Sequence, residues 1–97
     1  MAVQHRRYRL TEGSLDTFVE VWAQQVVPLR RRFGFDVVGA WASRDPDLFV
    51  WLVAHDGDFA EAEQAYYTSP DRAGIDPDPA SFIEDAEVTM VEAVSVP

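Results

Sequence analysis

The stretch "LFVWLVAH", residues 48–55, is apolar on both parities of its side chains. A strand with one wet face alternates apolar and polar residues, whereas a run that is apolar on both sides belongs to a sheet covered on both faces. Immediately upstream, "FDVVGAWAS" (35–43) has the same character, and "RDPD" (44–47) between them is turn chemistry, so the pair reads as a β-hairpin. With Ser43 set opposite Asp47, one face takes Phe35, Val37, Gly39 and Trp41 with Phe49, Trp51, Val53 and His55. The other takes Val38, Ala40 and Ala42 with Leu48, Val50, Leu52 and Ala54.

Working outward, "HRRYRL" (5–10) predicts a first strand with Tyr8 and Leu10 on one side, ended by the turn "TEG". Ser14 is then the expected N-cap of a helix whose apolar stripe runs through Leu15, Phe18, Val19, Trp22, Val26, Leu29 and Phe33. Pro28 falls inside this helix and should kink it, because it lacks an N–H and crowds the Gln24 carbonyl. Gly34 supplies the left-handed C-terminal residue. "DFAEAEQAYYTS" (58–69) predicts a second helix, capped by Asp58, with Phe59, Ala62 and Tyr66 inward. One helical turn should follow Asp78-Pro79, and "EVTMVEAVSV" (87–96) closes the chain as a fourth strand.

The order β-α-β-β-α-β predicts an α+β, ferredoxin-like fold: a four-stranded antiparallel sheet of order 4-1-3-2 with two helices on one face. Helices cover only one face, so the second apolar face calls for the same sheet of another copy, making a homodimer of the dimeric α/β-barrel kind. With 97 residues, 1–97 reads as one domain of modest core, yet 47% of them are hydrophobic, which again asks for a partner surface.

Composition excludes several classes. There is no Cys, which removes disulfides, thiolate nucleophiles and Cys-ligated metals. The N-terminus lacks a signal-type apolar run and no stretch reaches the length of a membrane span, so the expectation is a cytoplasmic protein with no membrane partner. The net charge of −9 argues against nucleic acid, whose affinity comes from neutralised phosphates.

The segments "YRLTEGSLDTFVEVW" (8–22), "VVPLRRRFGFDVVGAW" (26–41) and "AYYTSPDR" (65–72) resemble a NIPSNAP domain. The resemblance runs from Arg6 to Val91 and rests on the joint spacing of Gly13, Trp22, Pro28, Gly34, Gly39 and Trp41, with His55 where a Tyr or Trp is expected. It implies the dimeric α/β-barrel superfamily, shared with small antibiotic-biosynthesis monooxygenases, and dimerisation; it implies no single reaction.

For chemistry, the 4-1-3-2 order brings the start of the first strand beside the end of the third, which predicts Arg6 and His55 as neighbours at one end of a cleft between sheet and helices. His55 would act as general base and Arg6 would hold an enolate or carboxylate oxygen; the competing reading has His55 capping the core while Arg6 reaches solvent. Tyr66 is the candidate proton donor, since only one of the adjacent Tyr66 and Tyr67 can face inward. Tyr8, Trp22, Phe35, Trp41, Trp51 and Phe59 are the candidate substrate-binding rings, with core packing as the alternative role. "RRR" (30–32) reads as cations complementing a helix C-terminus. Two His, one of them His5 on the sheet's other side, do not make a metal site, and "DRAGIDPDP" (71–79) lacks calcium-loop spacing, so no metal and no cofactor are expected. Two functions stand: a cofactor-independent enzyme acting on an apolar aromatic or polyketide-like small molecule, or a non-catalytic ligand-binding or accessory module.

Overall fold

In the computed structural model, which describes residues Met1–Pro97, β1 (Ala2–Leu10) and β3 (Leu48–His55) form the centre of a four-stranded antiparallel sheet. β2 (Asp36–Ser43) and β4 (Ile83–Val91) are its edges, in the order β2-β3-β1-β4. Between β1 and β2 run α1 (Leu15–Val21), a π-helical turn (Trp22–Val26) and α2 (Val27–Arg32) as one rod. α3 (Phe59–Thr68), the short α4 (Pro70–Ala73) and a 3₁₀ turn (Pro79–Phe82) link β3 to β4. The core, centred on Phe18, Phe35, Trp51, Val53 and Tyr66, lies between one sheet face and these helices. This is the predicted ferredoxin-like architecture. No helix is long and apolar enough to cross a membrane.

The boundaries differ from expectation at both ends of the sheet. β1 starts at Ala2 rather than His5, and β4 starts at Ile83 rather than Glu87, because β4 pairs along β1 from Val3↔Val91 to Leu10↔Ile83. Ser14 does not cap α1: its own backbone is already helical (φ −96°, ψ −2°) and its hydroxyl bonds the Thr11 carbonyl. The Asp47 carboxylate replaces it, accepting from the N–H groups of Gly13 (3.0 Å) and Leu15 (3.4 Å). Asp58 caps α3 as predicted, accepting from Glu61 N–H at 3.0 Å.

Pro28 acts upstream of itself. Val27 N–H bonds the Trp22 carbonyl, five residues back, so the turn before the proline is widened into a π turn that relieves the crowding at Gln24. An extra residue in one turn sets everything after it back by about 100°. Counted from Phe18, Arg30 would stand about 120° off the apolar stripe in an unbroken helix and stands about 20° off it here. Arg30 is accordingly buried, with 1% of its surface exposed.

β2 carries the second irregularity. Ser43 pairs with Leu48 rather than Asp47, and this register continues through Trp41↔Val50 and Gly39↔Leu52; a bulge at Val38 then restores Val37↔Val53. A one-residue slip exchanges the faces of a strand. Ala40 and Ala42 therefore lie on the helix side opposite Trp51 and Phe49, and Trp41 lies on the open face. There its indole covers Gly39, where a Cβ would meet the ring at 3.0 Å. Trp41 is 58% exposed and takes no place in the cleft, contrary to the sequence expectation.

Candidate functional site

A cavity of about 260 Å³ opens between the helix side of β1, β3 and β4 and the helical rod, closed at the top by α3, α4 and the 3₁₀ turn. Alternation in β1 sends Gln4, Arg6 and Tyr8 to this side, and Trp51 of β3 stands directly opposite Arg6. The rod contributes Phe18, Trp22 and Arg30, and α3 contributes Tyr66 and Tyr67.

One hydrogen-bonded network forms the polar wall. The Arg6 guanidinium donates from Nε to the Tyr8 hydroxyl (2.6 Å), from Nη1 to Gln4 Oε1 (2.7 Å) and Glu63 Oε1 (3.0 Å), and from Nη2 to the Tyr67 hydroxyl (2.8 Å). Arg30 Nη2 donates to the same Tyr67 hydroxyl (3.2 Å) and to Glu63 Oε1 (3.4 Å), and Trp51 Nε1 donates to Tyr8 (3.1 Å). Burial opposes the charge on Arg6, but the Tyr8 and Tyr67 hydroxyls and Glu63 outweigh it and hold its pKa above the ordinary value. Every donor nitrogen of Arg6 is thus committed within the protein, and its role is to position Tyr8, Tyr67 and Glu63.

The proton bookkeeping is decisive. A tyrosine hydroxyl has two lone pairs and one proton. Tyr8 accepts from Arg6 and Trp51, and Tyr67 accepts from Arg6 and Arg30, none of which can accept in return. Both hydroxyls therefore offer only a proton to anything else. Glu63 lies outside the cavity lining and is held by Arg6, Arg30 and Gln4 Nε2 (3.2 Å). The wall can stabilise negative charge on a bound oxygen and can donate a proton; the lining includes no carboxylate or imidazole to take one.

Arg30 is the most constrained of these residues. Its guanidinium lies over the rings of Tyr66 (4.1 Å to the centroid), Phe35 (4.8 Å) and Trp51 (5.5 Å). Its Nε and Nη1 are buried without hydrogen-bond partners, as is Trp22 Nε1. Burial pushes the Tyr66 phenol above its ordinary pKa, against the opposing pull of Arg30 and Arg72, so it stays protonated through neutral pH.

Of the predicted residues, Arg6, Tyr8, Trp22, Trp51 and Tyr66 line the cavity. His55 does not. β1 is longer than predicted, so His55 pairs with Ala2 and Arg6 with Trp51. The His55 ring packs edge-on against Phe35 (5.0 Å), and its Nδ1 accepts the Gly57 N–H (2.8 Å), a capping role that removes it as general base for this cavity. Phe35 and Phe59 pack on each other (5.3 Å) behind the cavity wall, and Trp41 is on the opposite face. Arg30, Tyr67 and Glu63 were missed. Glu63 and Tyr67 are four apart on α3 and share a face, which is the pattern that marks them; Arg30 was hidden by the π turn. No group of three or more His, Asp and Glu side chains gathers in a metal-holding arrangement.

No protein-family model and no curated protein matches the sequence. Solved structures do match. An uncharacterized NIPSNAP domain protein from Burkholderia xenovorans aligns over 100% of this chain and 99% of its own at a TM-score of 0.81 and 21% identity. A NIPSNAP family protein of unknown function from Agrobacterium tumefaciens covers 94% of this chain and 86% of its own, with a TM-score of 0.83 and 23% identity. An antibiotic biosynthesis monooxygenase aligns over 98% of this chain and 100% of its own at 0.70 and 14%. At these identities the likeness is one of fold: the chain has the fold that NIPSNAP proteins share with this monooxygenase.

Proposed function

We propose that the protein binds a flat, apolar aromatic or polyketide-like molecule in the cavity lined by Trp22 and Trp51, and acts on it by stabilising negative charge on a substrate oxygen through Tyr8 and Tyr67. The observation that carries this reading is the pair of hydroxyls whose lone pairs are filled by Arg6, Arg30 and Trp51, so that each is preset as a donor toward the cavity. Tyrosine donors in the one polar wall of a mainly apolar cavity suit an enolate or phenolate oxygen formed as the substrate's own electrons do the work. A second reading, a binding or accessory module without catalysis, is favoured by a cavity lining with no carboxylate or imidazole, which leaves proton abstraction to the substrate or to water. In either case the working unit is a homodimer joined through the open face of the sheet, where Trp41, Val50 and Leu52 lie uncovered by any helix.

The test is quenching of tryptophan fluorescence by 2-naphthol, because Trp22 and Trp51 both line the cavity. Saturable quenching is expected, and Ala86→Phe, which fills the cavity from β4, should remove the saturable part. Unsaturable quenching, or an unchanged curve in Ala86→Phe, would overturn the proposal.

A further inference from the structure

Resting on the reading that the cavity takes a small aromatic molecule, we infer that its ligand is a monoanion, an aromatic carboxylate whose charged group is received by Arg30, Trp22 and the tyrosine hydroxyls. Three features of the cavity converge on this, each involving Arg30. The first is charge. Arg6 and Arg30 share a single carboxylate, Glu63, at 3.0 and 3.4 Å, so two buried cations face one anion; the third arginine of the lining, Arg72, is matched by Asp78 at 3.3 Å. In a chain of net charge −9, the cavity lining includes three arginines and no acidic residue. A desolvated cation without a counter-charge is unfavourable, and a ligand carrying one negative charge removes the imbalance.

The second feature is hydrogen-bond polarity. Arg30 Nε and Nη1 and Trp22 Nε1 are buried donors with no acceptor. The faces of Tyr66 and Phe35 stabilise the Arg30 cation but supply no lone pair to these N–H groups. With the protons of Tyr8 and Tyr67 added, the unmet demand is for acceptors alone, and a carboxylate, which accepts at both oxygens and donates at neither, fits it. The third feature is placement: the Arg30 guanidinium (5.5 Å) and the Trp22 ring (5.6 Å) both pack against Trp51, so charge receptor and aromatic platform adjoin. A ring held in the cavity beside Trp22 and Trp51 brings its carboxylate toward the guanidinium.

Calorimetric titration of the intact protein with 2-naphthoate, its neutral isostere 2-naphthamide, and 2-naphthol separates the possibilities. The inference expects 2-naphthoate to bind at least about tenfold more tightly than 2-naphthamide, the advantage of a hydrogen bond to a charged group. Arg30→Met should collapse that ratio to about one, and Glu63 keeps Arg6 as its partner in the variant. If Arg30→Met fails to fold, Trp22→Phe takes its place: loss of one donor should lower the ratio of 2-naphthoate to 2-naphthamide affinity by about threefold or more. Equal affinity for the neutral probes and 2-naphthoate, or a preference that survives these substitutions, would overturn the anion inference and leave the aromatic-binding proposal standing. Failure of all three probes to bind would overturn both.

Discussion

Arg6 faces Trp51 across the β1–β3 ladder, while His55 faces Ala2 at the far end of the same ladder. The two residues expected to act together are separated along β3, and each answers to a different neighbourhood: Arg6 to the tyrosine network, His55 to Phe35 and the Gly57 N–H. His55→Ala should therefore cost about 1–2 kcal/mol through a lost hydrogen bond and lost packing in a half-buried site. It should leave the 2-naphthoate titration unchanged. Urea melts beside calorimetry on the one variant check both halves; a large loss of binding with an unchanged melt would return His55 to the site.

Glu63 should behave in the opposite sense, moving stability and ligand response together. Glu63→Gln removes the only counter-charge of two buried guanidiniums, and breaking a buried ion pair in this way costs about 3 kcal/mol. Because the deficit is one of negative charge, an anionic ligand should restore more of it in the variant than in the parent. The rise in melting temperature caused by saturating 2-naphthoate should accordingly be larger in Glu63→Gln. An equal or smaller rise would mean that the ligand's charge does not reach these cations.

The inward set Tyr8, Trp22, Trp51 and Tyr66 was legible in the sequence because each follows from a period of two or of 3.6 read over a long run, and the sheet order and two layers follow from the β-α-β-β-α-β order of elements. The misses fall where a period is broken by one residue. The Val38 bulge turned Trp41 to the open face, and the π turn before Pro28 rotated Arg30 into the core; both insertions leave the residue pattern locally plausible in either phase. The Arg6–His55 pairing failed for a different reason, since register between strands distant in sequence depends on where β1 begins, and Ala2–Gln4 carries too weak an alternation to mark its start. Neighbours on a helix diverge, so the sequence points only Tyr66 inward and leaves Tyr67 outside the expected site. It is 45% exposed, yet its long side chain brings the hydroxyl back to Arg6 and Arg30.

The open face gives a prediction about assembly. Leu52 stands opposite Gly39 and beside Val50 and Trp41 on the side that no helix covers. If a second copy covers it, Leu52→Asp buries an unpaired carboxylate at a cost of several kcal/mol and the dimer should dissociate. Sedimentation equilibrium reads this directly: a dimeric parent and a monomeric or unfolded variant are expected, and a variant that remains a dimer places the interface elsewhere.

Tyr66 gives a prediction in pH. Its phenol is pushed above the ordinary value of 10.0, chiefly by burial, with Arg30 and Arg72 pulling weakly the other way. The folded state therefore holds this proton more firmly than the unfolded chain does. Below pH 10 both states are protonated and the contribution to stability is fully present. As the pH rises above 10 the unfolded phenol ionises first, and stability falls by about 1.4 kcal/mol per pH unit until the folded pKa is passed. Tyr66→Phe has no such proton to lose. Urea unfolding from about pH 9 to about pH 11 should thus show the parent losing stability relative to Tyr66→Phe, with the gap opening only above pH 10. The same ionisation can be followed by phenolate absorbance, which should show one tyrosine titrating late in the folded protein. Parallel stability curves for the two proteins over this range would mean that the Tyr66 hydroxyl is open to solvent, and that the cavity is wetter at α3 than its apolar lining implies.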